Sequence, residues 1–227
     1  MHSTRELQMT NFGLMLLLCI ALSAFTANAD TLSIIGDSYS TYGDEISDYY
    51  PTVGIREGNN VATYEDTWKS IFVKKSGLEL TYCDALLGSM ISGDTQDPTA
   101  IVNRVKITKE NLSDVIIVMG GLNDYWSKKK VGALDDADLN QNDFAPALYL
   151  TLFELKSRNK TARIIYSLIL YDRNIDVSEY DMAARRICEA LNVNYVPISE
   201  IPCISWHPTK NGMQKIADTL FATLNAD

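Results

Sequence analysis

Apolar residues recur along this chain in two periods. Residues 31–35, 78–86, 115–119, 162–170 and 194–198 are short apolar runs of strand length. The run Val-Ile-Ile-Val-Met at 115–119 is unbroken, the pattern of a strand covered on both faces. Between these runs the spacing is helical. Residues 65–75 predict a helix that Gly77 ends. Phe144, Leu148, Leu152 and Leu155 mark a second helix, and Tyr180, Ala184, Ile187 and Leu191 a third. Met213, Ile216, Ala217, Leu220, Phe221 and Leu224 form a terminal helical stripe. All these stripes read as ordinary core faces. Strands alternating with helices predict a layered α/β domain, a parallel sheet with helices on both faces. Residues 42–64 and 128–142 carry neither period. The first of these follows the first strand directly, and long loops at strand ends are where such folds keep their ligands.

The N-terminus follows a different pattern. Residues 12–26 are an apolar stretch preceded by Arg5 and followed by Ala27-Asn28-Ala29. A positive start, a short apolar run and an Ala-x-Ala site are the parts of a secretory signal peptide. The run is short for a membrane span, and an uncleaved anchor is the alternative. Cys19 does not make a lipoprotein signal, because Leu18 stands where a small residue is wanted. The expectation is a signal peptide over 1–29 and a single domain over 30–227. The product would be exported to the periplasm or outside the cell, with no stable membrane insertion after cleavage.

Composition narrows the functional classes. The chain has 227 residues, 46% hydrophobic and 22% charged, enough for one domain with a real core. A net charge of -9 repels phosphate backbones and anionic headgroups, which argues against nucleic acid as a partner. Cys83, Cys188 and Cys203 follow the leader. Their odd number excludes a disulfide framework, although Cys188 and Cys203 could pair; three ordinary buried thiols is the simpler expectation. No cysteine or histidine spacing suits a metal, so no metal site is expected. Asn111 and Asn159 head sequons that matter only in a eukaryotic secretory route.

Chemistry concentrates after the strands. Gly36-Asp37-Ser38-Tyr39-Ser40 follows the first strand. A serine on a tight turn there faces a substrate crevice, and its amide can face an oxyanion; a plain helix cap reads equally well from the pentapeptide. A hydroxyl nucleophile needs a base. The chain has two histidines. One is His2 in the leader, so His207 is the imidazole of the expected domain. It sits on the loop after the last strand, which a parallel sheet brings to the same edge as Ser38. Gly88, after the second strand, and Asn123, after the third, are suitable oxyanion donors, though each is also an ordinary turn residue. Asp37 and Asp124 could be paired carboxylates for glycoside cleavage, but local turn bonding accounts for them better. Tyr39, Trp126 and Trp206 could wall a substrate pocket or stack on a sugar. No Gly-x-Ser-x-Gly elbow and no nucleotide-binding glycine loop occurs.

Taken together these residues resemble the SGNH hydrolases, also called GDSL-like lipases or acylhydrolases. Ser38 in Gly-Asp-Ser-Tyr-Ser, Gly88 in Leu-Gly-Ser-Met, Asn123 in Gly-Leu-Asn-Asp and His207 in His-Pro-x-x-x-Gly match the family's four ordered blocks. The resemblance implies a three-layer flavodoxin-like fold with a five-stranded parallel sheet. It also implies ester hydrolysis without a cofactor. Ser38 and His207 would be catalytic, with an oxyanion hole of the Ser38 and Gly88 amides and the Asn123 side chain. One position departs from the family: Ile204 stands where an aspartate usually precedes the histidine. Either a backbone carbonyl near Ile204 orients the ring, or another acid does, Glu200 being the nearest upstream, or the protein is a weakened relative. The expected substrate is a small-molecule or carbohydrate ester with a short acyl group, an O-acetyl sugar being one form. The rival is an inactive carbohydrate-binding protein that keeps the fold.

Overall fold

The computed structural model describes residues 30–41, 60–108, 112–134, 139–170, 175–204 and 206–225. The expected leader, most of the segment 42–64 and the sequon at Asn111 lie outside the described residues. Five strands, β1 (Thr31–Gly36), β2 (Glu79–Ala85), β3 (Val115–Met119), β4 (Arg163–Leu170) and β5 (Asn194–Ser199), form one sheet. All neighbours pair in parallel, in the order β2-β1-β3-β4-β5.

The helices are α1 (Trp68–Ser76), α2 (Ile101–Ile107), α3 (Leu122–Trp126), α4 (Phe144–Arg158), α5 (Ser178–Leu191) and α6 (Lys210–Leu224). The continuous apolar run of β3 is explained by cover on both sides. Ile117 and Met119 pack with Trp68 and Phe72 of α1 and Ile216 and Leu220 of α6. Ile116 and Val118 pack with Val102 of α2, Leu148 and Leu152 of α4 and Ile187 of α5. This is the three-layer α/β architecture expected from the alternating pattern.

The predicted helix at 65–75 is divided in two. Tyr64–Asp66 is a 3-10 turn, and Thr67 then adopts extended backbone. Its hydroxyl donates to Tyr64 O (2.6 Å) and accepts from Ser70 N (3.3 Å), so it ends one turn and caps the next. Gly77 closes α1 at φ 72°, as its sequence position suggests. Asn159 is buried, with Nδ2 on Leu155 O and Oδ1 receiving Leu112 N. That sequon is committed to packing and closed to a glycan. Cys188 is a buried free thiol, so the pairing of Cys188 with Cys203 is not formed. Among the described residues no helix is long and apolar enough to cross a membrane, and no group of acidic, histidine and cysteine side chains could hold a metal ion.

The strand order locates the crevice. From β1 the chain crosses to β2 on one side, whereas from β3 it proceeds to β4 on the other. The carboxyl ends of β1 and β3 are therefore the point where the winding reverses, and loops leaving it part to open a cleft.

Candidate active site

Directly after β1 the chain turns on Asp37. Its Oδ1 accepts Tyr39 N (3.0 Å), its carbonyl accepts Ser40 N (2.9 Å), and Thr41 Oγ1 donates to Ser38 O (3.2 Å). Asp37, Tyr39, Ser40 and Thr41 are buried, while Ser38 at the apex stays part-exposed. The turn thus presents one hydroxyl and hides its neighbours. Gly121, after β3, sits at φ 111°, and a Cβ there would come within 3.0 Å of Phe144 and Tyr166. Only glycine fits, and it lets the chain enter α3 at once, placing Asn123 and Trp126 at the mouth of the cleft.

His207 arrives from the other end of the chain. Cys203–Ile204 (β6) and His207–Pro208 (β7) form a small antiparallel hairpin in which Ile204 pairs with His207. Trp206 adopts φ 70°, a left-handed conformation uncommon for a bulky side chain. Tyr39 holds this hairpin to the Ser38 turn: its hydroxyl donates to Trp206 O (2.9 Å), and its ring stacks on His207 with centroids 5.8 Å apart. The carbonyl of Tyr39 is in turn fixed by Trp68 Nε1 (2.9 Å).

Asp37, Ser38, Tyr39, Leu122, Asn123, Trp126, Trp206 and His207 line one cavity of about 470 Å³. The structure thus brings together Ser38, Asn123, His207 and all three aromatic residues singled out from sequence. Trp126 and Trp206, 41% and 54% exposed, meet edge to face with centroids 4.9 Å apart and form its rim. Gly88 is not among the lining residues. It lies at φ 75° at the head of the segment leading into Ser89, whose carbonyl accepts Asn123 Nδ2 (2.9 Å). Glu200 is placed elsewhere: it is exposed, and its carboxylate pairs with Lys215 (3.4 Å). Ile204 faces His207 across the hairpin through its backbone pairing.

Two carboxylates are buried beneath this site. Burial pushes Asp37 up to about 7, with the charge of Asp124 adding to the rise, while the Tyr39 amide and Arg104 oppose it. Asp124, fully buried, is also raised, chiefly by desolvation, against hydrogen bonds from Ser92 and Ile91. Local turn bonding describes Asp37 well. Asp124 instead reaches a loop more than thirty residues upstream. Arg104 was not singled out from sequence. It is 3% exposed, pairs with Asp84, and donates from Nη2 to Gly36 O (2.8 Å) and Ser89 Oγ (3.0 Å). An arginine inside an apolar helical stripe was the one sign of it.

The arrangement supplies a hydroxyl, an imidazole and an amide donor around a concave space, the parts of an acyl-transfer site. The family model of GDSL-like lipase/acylhydrolase matches residues 30–224. Curated proteins give no match to this sequence. Solved structures do. One from Bacteroides ovatus, described as a GDSL-like lipase, superposes with TM-score 0.75 at 23% identity, covering 88% of this chain and 100% of its own. A second of that description, from Bacteroides uniformis, gives 0.76 at 24%, covering 89% and 99%. An acetyl xylan esterase from Butyrivibrio proteoclasticus gives 0.57 at 14%, covering 86% and 63%. With the family model spanning the sheet from its first strand to its last helix, the chain belongs to the GDSL-like lipase/acylhydrolase family and is a serine ester hydrolase.

Proposed function

We propose that this hydrolase is an exported esterase that removes short acyl groups, O-acetyl above all, from carbohydrates by a Ser38–His207 dyad. The observation that carries the reading is that Ser38, Asn123 and His207 line one cavity, although they come from the turn after β1, from α3 and from the final hairpin. His207 takes the proton of Ser38 as its oxygen attacks the ester carbonyl. The tetrahedral oxyanion rests on the amides of Ser38 and Gly88 and on the Asn123 side chain, which has two N–H groups and gives one to Ser89. His207 then protonates the departing alcohol, and water, activated by the same ring, releases the acid. A main-chain carbonyl of the hairpin at Ile204, rather than a carboxylate, orients the ring, since Glu200 is turned outward to Lys215.

The alcohol side supports a polyhydroxylated substrate. A second cavity of about 500 Å³ shares Trp126 with the first and is lined by Tyr125, Lys128, Asp176, Ser178, Glu179 and Tyr180. Aromatic faces beside carboxylates, a hydroxyl and an ammonium suit a ring with one apolar face and many hydroxyl groups. An acetyl xylan esterase shares the fold. Export rests on the apolar stretch at 12–26 and the Ala-x-Ala site, and N-terminal sequencing of secreted protein is expected to begin at Asp30.

The test is acetate release from p-nitrophenyl acetate and acetylated xylo-oligosaccharide. Ser38→Ala and His207→Ala each remove most activity, and a Ser38 acyl-enzyme appears by mass spectrometry. Asn123→Ala lowers kcat roughly a hundred- to a thousandfold. Glu200→Gln leaves kcat within about twofold; a large loss there would show a relocated triad. Wild type and Ser38→Ala equally inert on every ester would overturn the reading in favour of a binding protein.

A further inference from the structure

Asp124 does work that its neighbour's role does not explain. Its Oδ2 accepts Ile91 N (2.8 Å), and its Oδ1 accepts Ser92 N (2.9 Å) and Ser92 Oγ (2.6 Å). The residue before it, Asn123, donates from Nδ2 to Ser89 O (2.9 Å). Two consecutive side chains of the five-residue helix α3 therefore hold both ends of the segment 89–92. That segment begins directly after Gly88. Its near end is tied again from behind, where Ser89 Oγ donates to Thr99 O (2.7 Å) and receives Arg104 Nη2, which also holds Gly36 O at the end of the nucleophile's strand. Asp124 and Ser92 are fully buried, and a carboxylate with three donors has no slack in that site.

We propose that Asp124 is the positioning residue of the Asn123 oxyanion donor: by gripping Ile91 and Ser92 it fixes the segment whose Ser89 carbonyl anchors Asn123. The proposal rests on the reading of Asn123 as an oxyanion donor. A preorganised donor stabilises developing charge only while it is held at the right distance, so loosening the loop lowers the rate rather than the affinity for substrate. Asparagine at 124 has nearly the same shape, but its amide group turns a donor toward one of the three donors it must accept.

The experiment is a double-mutant cycle on the full chain, with kcat and KM for p-nitrophenyl acetate and thermal unfolding of each variant. Asp124→Asn lowers kcat at least about tenfold with KM within about twofold. In the Asn123→Ala background the same substitution costs less than about threefold, because the donor it positions is already gone. Equal losses in both backgrounds, or an unchanged kcat in folded Asp124→Asn, would overturn the proposal. If Asp124→Asn does not fold, Ser92→Ala removes a single one of these bonds and carries the same comparison. It should cost kcat several-fold alone and nothing measurable with Asn123→Ala; equal costs would overturn the proposal. A wild type as inert as Ser38→Ala would overturn the esterase reading and this proposal with it. An active wild type with additive losses overturns the positioning role alone.

Discussion

At the scale of single residues, the turn that exposes Ser38 also hides an acid. Asp37 is 3% exposed, and burial lifts its pKa from 3.8 to about 7. The native state keeps a proton between those values that the unfolded chain releases. Stability from this group is therefore greatest near and below pH 4, falls as pH rises to about 7, and is level above. Asparagine retains an oxygen for the Tyr39 amide and removes the titration. Asp37→Asn should match wild type at pH 4 and exceed it at pH 8 by about 2 to 4 kcal/mol. Urea unfolding at the two pH values checks this, and a constant difference between the variants would contradict it.

At the scale of elements, the short hairpin of β6 and β7 decides where His207 lies. Its strands are two residues each, and Trp206 at its turn carries a left-handed backbone that costs on the order of 1 to 3 kcal/mol. The Tyr39 hydroxyl on Trp206 O is an external tie. Tyr39→Phe keeps the ring against His207 and removes that tie. We expect kcat to fall about tenfold on p-nitrophenyl acetate, with unfolding lowered by about 1 kcal/mol. An unchanged kcat would show that the hairpin holds its own shape. This element was invisible in the sequence because two-residue strands have no period. Of the helices, α2 escaped because buried Arg104 interrupts its apolar stripe, and α3 because five residues are fewer than two turns. The strand at 115–119 was legible to the residue, since cover on both faces makes its whole length apolar. That Ser38 and His207 meet in one cavity was legible through their place after strands. Gly88 is the hardest to read from sequence, since a glycine after the second strand looks like any turn residue; it adjoins Ser89, the partner of Asn123, without lining the cavity itself.

At the scale of the whole molecule, two adjoining cavities have Trp126 in common. On the proposed reading a small aryl ester engages only the first, whereas an acylated oligosaccharide reaches the second. Glu179→Ala should therefore lower kcat/KM on acetylated xylo-oligosaccharide about tenfold more than on p-nitrophenyl acetate. Equal effects on both esters would remove the second cavity from recognition. The parallel topology that aligns these cavities was foreseeable from the alternation of strands and helices. The network of Arg104, Asp84 and Asp124 beneath them was not, because it joins residues distant in sequence.

Ser38 follows the first strand of the domain and His207 precedes its last helix, and β1 lies inside the sheet between β2 and β3. On the proposed reading the nucleophile is thus synthesised early and its base almost last. A nascent or truncated chain that lacks the final hairpin carries a serine without a partner, however much of the sheet has formed. Parallel pairing between distant strands is slow to establish. Recovery of hydrolysis after dilution from denaturant should accordingly follow the final kinetic phase and lag behind the return of helical circular dichroism, so that turnover reports the closing of the chain's two ends upon each other.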